Sequence, residues 1–415
     1  AVVMAESTDD VRDAINFARN ERFTITARGA GTGLSGGSVP VHGGIVLSCE
    51  RMNSILKIDV EDRIAIVQPG IVTSVLQEAA ARQKLFYPPD PSSHTVSTIG
   101  GNVAENAGGL RCFKYGVTGH YVLGIEFLDA EGRIHRTGAL SDGGAEPELT
   151  PLLVGSEGTL GIFTRIALRL IDAPEKTATL SAYFSDSAEA FDCVESIIRS
   201  GCVPSVIEYI DDKALSASAG HVGISCPDQA AALLLLEIDG SEEEVITELP
   251  KVQDLLRSSA IELDIATDET SRELLWQLRR GISPSLIRLS GGKIHEDVAV
   301  PRGRLSELVR RIRNIEGNSS LEIPLYGHAG DGNLHVVILY DETDTGSVNA
   351  AREVSREIFR SAIDLDGTIT GEHGIGCAKL EYLAWQQSEA VLSFTRQVKQ
   401  MLDPRNLFNP GKIIS

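Results

Sequence analysis

"RGAGTGLSGG", residues 28–37, decides the fold because it permits incompatible readings. Gly31, Gly33 and Gly36 spell G-x-G-x-x-G, the fingerprint of a βαβ dinucleotide fold. That fold requires the glycines to open directly into a helix whose N-terminus receives the pyrophosphate. Here the β-branched "FTITA" (23–27) leads in, but "SVPVHGGIVLSCERM" follows. It brings a proline, a Gly-Gly turn and the strand-like "GIVLS" (44–48). No helix fits, so a Rossmann fold is rejected. The glycines are then either a flexible turn or a nest of backbone N–H groups around phosphate oxygens, and this loop alone leaves both open.

Further stretches move the balance toward the nest. "PPDPSSHTVSTIGGNVAENAGGLRCFKYG" (88–116) has many small residues and few bulky ones, whereas a core segment needs bulk. "VGSEGTLGIFT" (154–164) repeats that texture before the strand-like "RIALRLI" (165–171). Three dispersed small-residue loops imply one extended ligand lying across them. Upstream, residues 7–19 read as a helix capped by Ser7 or Thr8, with Val11, Ala14, Ile15 and Ala18 on one stripe.

Beyond residue 172 strands and helices alternate. Strands are expected over 178–184, 205–211, 232–239, 293–301, 320–328 and 333–340. Helices are expected over 187–200, 246–259, 272–282, 304–315 and 347–364. The pattern fits an antiparallel sheet with helices on one face. The tail "MLDPRNLFNPGKIIS" carries Pro404, Pro410 and Gly411 and is expected to pack back on the body.

Composition bounds the partners. The 415 residues carry a formal net charge of −20, which argues against nucleic acid or an anionic membrane as the main partner. Six scattered cysteines, at 49, 112, 193, 202, 226 and 377, form no C-x-x-C, which suits a reducing, cytoplasmic setting and excludes an iron–sulfur cluster of the chain's own. The longest apolar run, 231–238, is too short to span a bilayer, and no signal peptide is visible. A start at Ala1 implies a missing upstream segment.

The second half holds the chemistry. His328 and His335 flank the Asp331-Gly332 turn in "YGHAGDGNLHVVIL" (326–339), and "TGEHGIG" (370–376) adds Glu372 and His373. Two histidines and a carboxylate make a three-ligand metal set with open positions, and His373 is then a free base. Solvated loop histidines are the competing reading, and the spacing alone does not choose. Arg279 and Arg280 offer guanidinium forks for a carboxylate, although one of the pair reads as a solvated helix face. Lys293, His295 and Asp297 alternate on one strand face that lines a pocket or meets solvent.

Taken together, "TARGAGTGLSGG", "PDPSSHTVSTIGGNVAENAGGLRCFKYG", "GSEGTLGI", "HAGDGNLH", "GEHGIG" and "NPGK" occur in family order from end to end. The chain resembles the FAD-linked 2-hydroxyacid dehydrogenases of the vanillyl-alcohol-oxidase superfamily, on the branch of glycolate oxidase D subunits and D-lactate dehydrogenases. The resemblance implies an α+β fold: a two-subdomain FAD-binding domain over 1–171, an antiparallel-sheet, ferredoxin-like cap over 172–400, and a tail over 401–415 returning to the FAD domain. It implies dissociable FAD, because His120 lacks the context of a flavin-linking histidine. It assigns the pyrophosphate to Arg28, Gly29, Ala30, Gly31, Thr32, Gly33, Leu34, Ser35, Gly36 and Gly37. The ribityl chain and ring fall to Pro91, Ser92, Thr98, Gly100, Gly101, Asn102, Gly108, Gly109, Tyr115 and Gly116. Glu157, Gly161 and Ile162 take the adenine half, with Glu372 and Asn409 also at the cofactor.

The same resemblance places a divalent metal (zinc, iron or manganese) on His328, His335 and Glu372, makes His373 the base, and sets Arg279 on the substrate carboxylate beside Lys293 and His328. It implies oxidation of a small 2-hydroxy acid to the 2-keto acid. Val337 and the Lys293–His295 region depart from the 2-hydroxyglutarate branch and favour a short substrate such as glycolate or D-lactate. The acceptor is expected to be a quinone, an electron-transfer flavoprotein or an iron–sulfur subunit. A homodimer or a hetero-complex peripheral at the inner membrane is consistent with that. The alternatives are a 2-hydroxyglutarate dehydrogenase, an alkyl-glycerone-phosphate synthase or enolpyruvyl reductase on the same fold, and a non-catalytic flavin-bearing subunit.

Overall fold

The computed structural model describes residues 1–141 and 148–413, so the last two residues of the expected tail segment lie outside the described ones. The chain gathers into two units. The first holds 1–109, 116–173 and 372–415; the second holds 110–115 and 174–371. The expected cap boundary at 400 therefore falls after 371 instead. The return comes early because the backbone of Ile375, Gly376 and Cys377 binds groups of the first unit, described below.

In the first unit, the strands Val2–Met4 and Ile25–Arg28 flank Ile45–Ser48 in a parallel sheet. Residues 29–44 contain no helix, which bears out rejection of the Rossmann reading. Helix Thr8–Glu21 starts at Ser7, whose side chain accepts from Asp10 N–H while Asp10 answers in a capping box. Its stripe of Val11, Ala14, Ile15 and Ala18 packs with Ile25, Ile45, Leu47 and Phe408. A five-stranded antiparallel sheet completes the unit, in the order Ile55–Asp59, Ile64–Val67, Ile162–Arg169, Val122–Leu128, Ile134–Arg136. The tail closes on the first sheet: Phe408 bridges Ile25, and buried Lys399 binds Thr159 O, Asp403 Oδ2 and Phe408 O at 2.6–2.7 Å.

The second unit is a seven-stranded antiparallel sheet. Its order is Glu262–Ile265, Lys176–Phe184, Ala232–Gly240, Val206–Asp211, Leu325–His328, Asn333–Tyr340, Gly292–Ala299. Helices cover both faces rather than one. Leu233, Leu235, Ile210, Val337 and Leu339 pack against helices Asp212–Val222 and Glu269–Ser290. On the opposite face Tyr209 stacks on Phe191 of helix Ser187–Arg199. The unbroken run "ALLLL" (232–236) is apolar at both parities because both of its faces are buried.

Helix Glu269–Ser290 runs past its expected end at 282. Gly281, inside the helix, is a contact point. A Cβ there would stand 2.7 Å from Ser218 Oγ, and that hydroxyl donates to Leu278 O at 2.5 Å. The glycine serves close approach of two helices, and Arg279 is carried within the continuing turns. No described helix is long and apolar enough to cross a membrane.

Candidate active site

The first unit offers a backbone cradle. Gly31 and Gly36 have φ of +71° and +81°, a region that disfavours side chains. A Cβ on Gly29 would lie 2.1 Å from Thr98 Oγ1, on Gly36 2.7 Å from Cys377 Sγ, and on Gly37 2.7 Å from Glu105 Oε1. The loop thus lies flat on helix Ile99–Glu105 and on the segment after His373, with Gly31 to Leu34 exposed. Gly100 approaches Pro69, Gly109 has φ +144° beside Asp90 O, and Gly161 abuts Phe127. Beneath the loop, Lys412 Nζ donates to Gly36 O at 2.8 Å and Val39 O at 2.7 Å.

Four buried polar atoms here find no partner among the described residues: Ser35 Oγ, Ser156 Oγ, Asn409 Oδ1 and Glu105 Oε2. They belong to separate motifs, the glycine loop, "GSEGTLG", "NPGK" and "NVAENAGG". Unmet buried polar groups are costly, so their concentration here fits a polar ligand that spans these loops. That is the fit FAD requires.

Other cofactor candidates are engaged within the protein. Asn102 Nδ2 donates to Thr73 Oγ1 at 2.7 Å. Tyr115 falls in the second unit, its hydroxyl on Asp239 Oδ1 at 2.9 Å beside Lys114 at 2.8 Å. Asn409 Nδ2 ties Gly37 O to Glu157 O at 2.8 and 2.7 Å. Glu157, at φ +47°, points its carboxylate at the chain: Oε1 accepts from Ile375 N–H and Oε2 from Gly376 N–H, both at 2.7 Å. The side chain of Glu157 is a clamp on the residues that follow His373.

In the second unit the chemistry is carried by side chains on the sheet face under helix Glu269–Ser290. Cross-strand register sets their placement, since directly opposed residues project to the same side. Glu208 opposes His328, Tyr326 opposes His335, and His335 opposes Asp297. Fully buried Glu208 accepts from Arg279 Nε at 2.5 Å and from His328 Nδ1. Burial pushes its carboxyl up, but the charges of Arg279 and His328 and their hydrogen bonds outweigh burial and hold it below the ordinary range. The bond at Nδ1 fixes the ring of His328.

Ring centroids of His328 and His335 are 5.1 Å apart, and one ligand nitrogen of each lies within 4.8 Å of the other. His295 stands 5.2 Å from His335 on the far side. This donor set suits a divalent transition metal. The Arg279 guanidinium lies 4.7 Å over the Tyr326 ring, with Nη2 buried and without a partner among the described residues. Arg280 instead faces Glu273 at the surface.

Lys293 lies near the start of strand Gly292–Ala299. Its Nζ donates to Ser283 Oγ at 2.6 Å and Ser283 O at 3.1 Å, and burial lowers its pKa. Asp297 holds the strand end: it accepts from Asn333 Nδ2 at 2.6 Å, Thr370 Oγ1 at 2.9 Å and Gly371 N–H at 2.8 Å. Along the chain, the Glu372–His373 pair is therefore preceded by a segment fixed on Asp297 and followed by one fixed on Glu157. Within that pair His373 Nε2 is 3.9 Å from Glu372 Oε1.

Glu208, Glu105 and the clamp role of Glu157 were missed in the sequence. Their signal was present: each is an acid set among apolar or small residues, where a charge needs a partner.

A buried guanidinium beside paired imidazoles in one unit and a glycine cradle with unmet polar atoms in the other define a cofactor-dependent enzyme of anionic substrates. The comparisons agree and name the cofactor. The family described as FAD linked oxidases, C-terminal domain, matches residues 173–413, and the FAD binding domain family matches residues 1–138. "Glycolate oxidase subunit GlcD" of Bacillus subtilis (strain 168) is 40% identical over all of this chain and 89% of its own length. The protein of that name in Escherichia coli (strain K12) is 36% identical over all of this chain and 83% of its own. A D-lactate dehydrogenase of Archaeoglobus fulgidus is 34% identical over all of this chain and 91% of its own. This chain belongs to the FAD linked oxidase family and binds FAD. In fold it is similar to p-cresol methylhydroxylase, with a TM-score of 0.82 at 19% identity over all of this chain and 88% of that one. It is similar as well to alkyldihydroxyacetonephosphate synthase, at 0.77 and 19% over 99% of this chain and 76% of that one.

Proposed function

We propose that this flavoprotein oxidises a small 2-hydroxy acid of the glycolate or D-lactate type to the 2-keto acid. The observation that carries the reading is the unpartnered Nη2 of buried Arg279, held by Glu208 and seated on Tyr326 beside His328 and His335. A buried guanidinium with an open donor selects a carboxylate. The engagement of Lys293 by Ser283 removes one candidate for a second, distal carboxylate, which favours a short substrate.

Arg279 orients the acid by its carboxylate. Its own position is fixed because Glu208 occupies Nε. His328 and His335 would hold a divalent cation, with Glu372 as third ligand on the strength of the sequence pattern. Such a cation, when bound, lowers the pKa of a substrate hydroxyl. His373 takes the hydroxyl proton as the general base of the reaction. FAD, when bound, would supply the acceptor for the α-carbon hydride. The scattered cysteines offer no cluster ligand set, so the electrons would leave to a separate partner: a quinone, an electron-transfer flavoprotein or an iron–sulfur subunit. The printed name of the Bacillus subtilis relative, a subunit, favours a hetero-complex.

The test is His373→Ala. Flavin content should be unchanged, while flavin reduction by glycolate or D-lactate in stopped flow falls on the order of 10²- to 10⁴-fold. Reduction at the wild-type rate would remove the base from this account.

A further inference from the structure

Glu105 is a buried acid that nothing above employs. It ends helix Ile99–Glu105, and its oxygens point at glycines. Oε1 lies 3.8 Å from where a Cβ on Gly33 would stand and 2.7 Å from that on Gly37. Oε2 lies 2.7 Å from the corresponding point on Gly374, as Glu157 Oε1 does at 2.6 Å. Two carboxyl groups thus converge between the glycine loop and the segment after His373. One is fully occupied: Glu157 accepts from Ile375 and Gly376 N–H. The other has a buried oxygen with no partner among the described residues. Ser35 and Asn409, both 2% exposed, add unpartnered atoms at the same loop, which marks it as built for a ligand.

The charges that face this point are few. Lys412 and Lys379 act on Glu157, and the Arg28 guanidinium lies against Gly31. Glu372 and His373 precede Gly374 in the chain. These three cations would be matched by the Glu157 carboxylate and the doubly charged pyrophosphate that FAD would bring. A second carboxylate against the same loop would be left uncompensated, at a cost no buried site sustains. As an acid, Glu105 becomes a donor instead.

We propose that Glu105 is a cofactor-site residue in its protonated form: the chain takes up FAD together with one proton held on Glu105, between the glycine loop and Glu157. Burial first, and then the Glu157 charge, hold Glu105 well above the usual carboxylate range, which is the direction required. A raised value means the proton is present at low pH and leaves as pH rises, so FAD affinity falls toward alkaline pH. The inference rests on FAD binding and not on the substrate reading.

Flavin release from the diluted holoprotein, followed by fluorescence between about pH 6 and about pH 9, tests it. The FAD dissociation constant should climb by about tenfold per pH unit above the ionisation of Glu105. Glu105→Gln keeps the donor without the charge and should bind FAD tightly with a flat profile. Glu157→Gln removes the like charge that helps hold the proton on Glu105 and should move the onset of affinity loss to lower pH. A flat wild-type profile, or an unchanged slope in Glu105→Gln, overturns the proposal. Should Glu105→Gln not fold, reconstitution of wild-type apoprotein in weakly buffered solution decides: proton uptake that rises from near zero at low pH toward about one per FAD at alkaline pH supports it, and none at any pH refutes it. No hydroxy acid is present in either experiment, so failure of the substrate reading leaves these outcomes unaffected.

Discussion

The two units hold their chemistry in opposite ways. The first presents backbone: glycines at positive φ, carbonyls tied by Lys412 and Asn409, and a few unmet polar atoms. The second presents charged side chains on a rigid sheet, with Glu208 holding both Arg279 and His328. A backbone cradle accepts a long cofactor along many weak contacts. A buried ion triad fixes a small anion at one point. The first tolerates loss of single side chains, whereas the second fails when one charge is orphaned.

The largest effect should therefore follow Glu208→Ala. It leaves Arg279 buried without its carboxylate, at a cost of about 3–5 kcal/mol in unfolding of the second unit, read by denaturant titration. Retained stability would mean that Arg279 finds another partner and that the contrast is overstated. Glu157→Gln comes next. One of the amides of Ile375 and Gly376 loses its ionised acceptor, so flavin reduction should slow by about 10²-fold with FAD still bound at neutral pH. Unaltered reduction would show that the segment after His373 needs no clamp. Gly281→Ala should cost about 1–3 kcal/mol, measured as a lowered Tm, because the added methyl meets Ser218.

A pH series sharpens the same comparison. Glu208 is held below its ordinary value, so it contributes stability above about pH 4.5, and that stability is lost as pH falls through the folded-state value. The difference in Tm between wild type and Glu208→Gln should shrink on acidification. A constant difference would indicate that the carboxylate is not the stabilising form. The smallest effect belongs to Leu34→Ala: its side chain is 54% exposed on the cradle, and folding stability should change by within about 0.5 kcal/mol.

What the sequence made legible follows the same division. Loops built from glycine announce themselves, because no other residue reaches those conformations, and the missing helix after Gly37 was readable from Pro40 and the Gly43-Gly44 turn. Side-chain partners across a sheet are set by register, which no local pattern carries. Glu208 meets His328 across 120 positions of chain, and Lys293 meets Ser283 rather than a ligand because the strand Gly292–Ala299 runs beside the preceding helix. The role of Gly281 was not readable because the need for it lies in Ser218, on another helix. Helices on both sheet faces were foreshadowed by the doubly apolar run near residue 233, whose pattern had been read only for strand.

The central claim is that an acid seated on Arg279 delivers hydride to bound FAD. Anaerobic mixing of the holoprotein with glycolate and with D-lactate tests it most directly. The account predicts bleaching of the yellow flavin absorption by at least one of them, with 2-keto acid formed in step with reduced flavin. Flavin that stays oxidised in the presence of every short 2-hydroxy acid offered would contradict it.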